Sequence, residues 1–128
     1  MLYLAYNDLG DEGVGFLTEV LGQCNSLAKL DLRGNSIGDQ GARSLHGALG
    51  QCSLLLQLNL QGNVIEAEGT RILAQALEQC SLLSFLNLGF KRIRDDGATS
   101  LTQVLQQCST LAELHLEYNG IGAGGPRS

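Results

Sequence analysis

The chain has no tryptophan, one proline, and only three tyrosines and three phenylalanines, so aromatic side chains make up 5% of its 128 residues. A core built from this composition must rest on aliphatic packing, with little help from large rings. Positive charge is also scarce: 8 lysines and arginines stand against 13 aspartates and glutamates, a net charge of −5. An acidic chain without a basic stripe argues against nucleic acid or an anionic membrane as a partner. No apolar run approaches the roughly 18 residues that a membrane-spanning helix needs. The opening Met1-Leu2-Tyr3-Leu4 carries no basic segment or cleavage-type motif, so no secretory signal is read and the expected compartment is the cytoplasm.

What the chain does have is a period. Asn7, Asn35, Asn63 and Asn119 lie on one ladder with a step of 28 residues, and Lys91 occupies the missing rung. Cys24, Cys52, Cys80 and Cys108 climb the same ladder, as do Gly13, Gly41, Gly69, Gly97 and Gly125. A fixed period over a whole chain marks a stacked repeat architecture, in which each unit buries its apolar side against its neighbours. The cysteines follow apolar helical segments at equivalent positions, which places them in a column, one per layer. Reduced cysteine is a small hydrophobe that suits such a column. Disulfides and a metal site remain the weaker alternatives, because a linear column does not converge on one point.

Within each unit the apolar spacing changes. Leu30-x-Leu32, Leu58-x-Leu60, Leu86-x-Leu88 and Leu114-x-Leu116 alternate as short strands do when one face is buried. Ala42, Leu45, Ala48 and Leu49 then follow helical spacing, as do Ala98, Leu101, Val104 and Leu105. The spacing predicts five short strands and four helices, near 13–23, 41–51, 69–79 and 97–107. Asp11, Asp39 and Asp95 stand near the helix starts, where a carboxylate can cap free amides and oppose the dipole. The recurring glycine permits close approach between neighbouring turns.

The pattern Leu-x-x-Leu-x-Leu-x-x-Asn at 27–35 and 55–63, followed by an amphipathic helix in a 28-residue unit, resembles the leucine-rich repeat of ribonuclease-inhibitor type. Its uniform units are most similar to the repeat regions of NOD-like receptors. The resemblance implies an α/β fold: a right-handed β-α solenoid, a horseshoe segment with a parallel concave sheet of five strands and four helices on its convex side. Residues 1–128 read as a single domain of about four and a half repeats, expected to be a fragment without terminal caps. Strands pair about 4.8 Å apart while helices need about 8–10 Å, so the stack must bend by roughly 20–25° per layer.

Function is sought where the repeat varies. Alternation sends Lys29, Asp31 and Arg33 outward, then Gln57, Asn59 and Gln61, then Phe85, Asn87 and Gly89, then Glu113, His115 and Glu117. Tyr3 joins the first row, and Tyr6, Phe90 and Tyr118 occupy the following loop position. Aromatic residues and arginine anchor interfaces, which makes Arg33, Phe85, Phe90 and Tyr118 the leading contact candidates. Lys91, with Phe90, Arg92 and Arg94, reads either as a basic-aromatic contact point or as drift in one copy whose charge Asp95 and Asp96 partly offset. Glu113, His115 and Glu117 share a strand face, but alternate residues lie about 6.5–7 Å apart, too far to chelate one ion without help from another strand. No nucleophile arrangement, phosphate loop or cofactor motif is present, and a short open arc is expected to lack a pocket.

The expected function is therefore noncatalytic protein binding, as part of a larger receptor or scaffold. A regulator of a small GTPase, resembling Ran GTPase-activating protein, is one alternative. A structural or degenerate repeat fragment without independent activity is another. Protein is the expected partner class, with end-to-end self-association expected through uncapped termini.

Overall fold

The structure, a computed structural model, describes residues 1–21, 23, 26–89, 94–106 and 110–116, with the backbone alone at 104 and 105. Strands and helices alternate throughout: β1 (Leu2–Tyr3), α1 (Gly10–Leu21), β2 (Lys29–Asp31), α2 (Asp39–Leu49), β3 (Gln57–Asn59), α3 (Ala67–Leu77), β4 (Phe85–Asn87), α4 (Arg94–Leu105) and β5 (Glu113–His115). All five strands form one parallel sheet in chain order. The register repeats the sequence period: Leu2 pairs with Leu30, Leu30 with Leu58, Leu58 with Leu86, and Leu86 with Leu114.

One layer of leucines separates sheet from helices. Leu30, Leu32, Leu58, Leu60, Leu86 and Leu88 are buried beneath the strands, against Leu45, Leu49, Leu73 and Leu77 of the helices. Residues of the alternate strand parity stay half-buried or exposed on the face turned away from the helices. Close strands and wider helices bend such a stack so that this open face is the concave one.

The helices begin and end earlier than the spacing suggested. Gln51 N and Cys52 N bond back to Ala48 O and Leu49 O, at 3.1 and 3.0 Å, so a tight turn replaces the last helical turn. Cys52 and Cys80 are buried thiols in adjacent layers, and the Cys80 thiol faces Cys52 O at 3.8 Å. Cys24 and Cys108 lie outside the described residues.

Two polar ladders lock the layers. The buried Asn63 accepts from Asn35 N and Ile37 N at 2.9 and 3.0 Å, and donates to Leu32 O and Leu60 O at 2.9 Å. Asn35 does the same one layer earlier, accepting from Asn7 N and Leu9 N and donating to Leu4 O and Arg33 O. An amide suits this place because it donates and accepts at once.

Asp11, Asp39 and Asp95 stand in the first turns of α1, α2 and α4, as the sequence suggested, but the amides that Asp11 and Asp39 cap belong to a neighbouring helix. Helix α2 has Gly38 and α3 has Glu66 at the N-cap, and neither makes a side-chain cap bond. Instead Asp11 Oδ1 accepts from Gly38 N at 2.6 Å, and Asp39 Oδ1 from Glu66 N at 2.8 Å. Each carboxylate serves the next layer's helix start rather than its own. Glycine lets it through: a Cβ on Gly41 would lie 2.6 Å from Asp11 Oδ1, and one on Gly69 would meet Asp39.

Candidate functional site

The concave face gathers side chains from neighbouring strands. One lateral row runs Lys29, Gln57, Phe85, Glu113, and the next runs Tyr3, Asp31, Asn59, Asn87, His115. Between them Tyr3, Lys29, Asp31, Gln57, Asn59 and Phe85 line a recess of about 230 Å³ that extends to Arg33. This open dip is more than the pocketless open arc that the sequence suggested, and Tyr3 and Phe85 border its polar residues.

Three of the outward positions carry a structural duty. Asp31 Oδ1 accepts from Arg33 N, Asn59 Oδ1 from Gln61 N and Asn87 Oδ1 from Gly89 N, at 3.2, 3.1 and 3.0 Å. Each side chain thus folds the chain leaving its strand, as Asx turns do. Sequence reasoning missed this role, although the signal was there: aspartate or asparagine recurs at one step of the period.

Arg33 is placed on the concave side as expected, yet it is not a free cation. Its Nε and Nη2 bind the Asp31 carboxylate at 3.0 and 2.9 Å, and the hydrogen bond and charge of Asp31 hold its pKa above the ordinary arginine value. The guanidinium also lies 5.8 Å from the centre of the Tyr6 ring, within cation–π range. Tyr6 adopts the left-handed conformation that glycine supplies at Gly34 and Gly62, and its ring covers Gly34.

At the other end of the face Phe85 and His115 meet with ring centres 5.5 Å apart and planes tilted by 44°. His115 Nε2 lies 3.4 Å from Glu113 Oε2. Of the remaining candidates, Phe90, Lys91, Arg92, Glu117 and Tyr118 lie outside the described residues. The structure thus brings Arg33 and Phe85 to the rim of one recess, with Glu113 and His115 beside it. Among the described residues no group of three His, Cys, Asp or Glu side chains is arranged to hold a metal ion, and no helix is long and apolar enough to cross a membrane.

A family model described as Leucine Rich repeat matches residues 2–17, 23–45, 51–71 and 107–125. No curated protein matches the chain in sequence. Among solved structures, Leiomodin-1 Actin-Binding Site 2 is similar with a TM-score of 0.76 and 21% identity, over 90% of this chain and 68% of that one. The tropomodulin C-terminal domain of Caenorhabditis elegans is similar with a TM-score of 0.78 and 15% identity, over 91% of this chain and 72% of that one. At such identities the likeness is one of fold.

Proposed function

Because the chain belongs to the leucine-rich repeat family, we propose that it is a noncatalytic protein-interaction scaffold whose concave strand face carries the contact surface. One observation supports this above the rest. Side chains of different chemistry from four strands, Tyr3, Lys29, Gln57 and Phe85 among them, surround one open recess, while the leucines between them are buried and alike. A rigid layer of leucines presenting variable neighbours suits recognition, and aromatic walls around polar groups are a common form of interface core.

Narrower readings fall within this one. Membership of a larger receptor or scaffold, with units like those of NOD-like receptors, is compatible with the uniform period. The buried thiols Cys52 and Cys80 suit a reducing compartment such as the cytoplasm. Leiomodin-1 Actin-Binding Site 2 shares the fold, so actin is a sensible first partner to assay. A small-GTPase regulator would accelerate GTP hydrolysis when the chain is added, and no acceleration would remove that reading.

The test compares three proteins as baits in proximity labelling: the unaltered chain, a concave variant with Tyr3→Ser and Phe85→Ser, and a helix-face variant with Phe16→Ser. Partners lost from the concave variant alone support the proposal. Partners lost only with Phe16→Ser would move the contact surface to the helices.

A further inference from the structure

Arg33 and Asp31 neutralise each other through a two-pronged ion pair, which leaves Lys29 as the cation of the recess. Among the described residues Lys29 has no acidic partner. The amide of Asn59 adds a second feature. Its Oδ1 is committed to Gln61 N at 3.1 Å, which leaves its Nδ2, a double donor, on the side of the amide not held by that bond, in a residue that lines the recess. No described residue accepts from that nitrogen. Gln57 pairs with Lys29 across the sheet and stands two residues before Asn59 on β3, with a further amide. The recess therefore offers an ammonium and one or two amide donors, while the one carboxylate on its wall is already saturated by Arg33. Tyr3 and Phe85 border this donor cluster with ring surface.

Resting on the reading of the concave face as the binding face, we propose that the recess takes an acidic side chain of a protein partner, an aspartate or glutamate flanked by apolar residues. The carboxylate accepts from Lys29 Nζ and Asn59 Nδ2, and the flanking residues lie on Tyr3 and Phe85. A carboxylate is the group that satisfies several converging donors with its two oxygens, and hydrogen bonds to a charged group are the stronger kind. A basic or neutral side chain would leave the ammonium and the amide donors facing it unsatisfied. The protein's overall charge of −5 repels acidic partners at long range, so specificity arises from this local donor set.

The test is selection of a displayed library of random dodecapeptides on the intact chain, repeated with Lys29→Gln and Lys29→Glu. Gln57 holds the equivalent place in the next layer, so Lys29→Gln keeps a side chain the fold already accepts. The expected result is enrichment of aspartate or glutamate beside an aromatic or aliphatic residue, about tenfold weaker binding of those peptides to Lys29→Gln, and a switch toward basic peptides with Lys29→Glu. Peptides that compete at Tyr3 and Phe85 but show no acidic preference would overturn this inference and leave the concave-face reading standing. Peptides unaffected by Tyr3→Ser and Phe85→Ser would overturn both, and failure to retain any peptide would overturn the inference.

Discussion

Asn63 holds the backbone of Asn35: its Oδ1 accepts the Asn35 N–H at 2.9 Å, one full layer away, while its Nδ2 binds Leu32 O and Leu60 O. The residue is 2% exposed, so all of these bonds form out of water. Losing it removes its bonds to two N–H groups and two carbonyls. Asn63→Leu should therefore cost about 2–4 kcal/mol in urea denaturation. Asn63→Asp keeps the acceptor and loses the donors, so a cost as small as that of a surface change would show that the donated bonds contribute nothing.

Lys91 stands where the period requires the acceptor for the next loop back. Among the described residues nothing accepts the N–H of Asn63 or Ile65, the pair equivalent to the Asn35 and Ile37 groups that Asn63 satisfies. Lys91→Asn should raise the unfolding midpoint, by an amount corresponding to about 1–2 kcal/mol. An unchanged midpoint would defeat the idea that the lysine weakens this layer.

Gly41 is tight for a different reason. A Cβ there would fall 2.6 Å from both Asp11 Oδ1 and Ile37 Cγ2. Crowding of this kind typically costs about 1–3 kcal/mol. Gly41→Ala should destabilise the protein by that order, and less so in an Asp11→Ala background, where one of the two obstructions is gone. Calorimetry of the four proteins measures the coupling, and strictly additive losses would rule out a clash through Asp11.

Acid should be felt at Glu68. The hydrogen bond from Arg71, at 2.6 Å, holds its carboxyl below the usual carboxylate range, with Arg43 adding charge. A lowered folded-state pKa means that the bridge contributes fully above the ordinary value and is lost as pH falls through the lowered one. The pair is exposed, so the stability effect is small. The carboxyl carbon shift of Glu68, followed by NMR, should titrate at higher pH in Arg71→Ala than in the unaltered chain. Coincident curves would show that the bridge does not persist in solution.

Most of the architecture was legible because apolar period and hydrogen-bonding residues act locally. Leu30, Leu58 and Leu86 announced one buried face, and Asn35 and Asn63 marked the recurring step of the repeat. The recess was harder to read, since it needs Tyr3, Lys29, Gln57 and Phe85 from four strands, and their heights above the sheet depend on side-chain conformations. The duty of Asp31, Asn59 and Asn87 was hidden by their position: variable-looking surface residues also fold the chain behind them. The aspartates were placed correctly at helix starts, but which helix they serve was not legible. A lean toward the helix N-terminus keeps both carboxylates at that end of the helix. Their bonds to Gly38 N and Glu66 N depend on how the next layer sits beside them, which spacing along one unit does not reveal.

The two ladders run in opposite senses. Asparagine reaches back from each later layer into the one before, whereas aspartate receives an N–H from the one after. A middle layer is thus fastened by its neighbours on both flanks, and it is the seam between two layers, more than the layer itself, that carries cooperativity. Cutting one seam orphans a loop on one side and a helix start on the other. Force applied along the stack should consequently break it in discrete steps, seam by seam, in place of a gradual stretch.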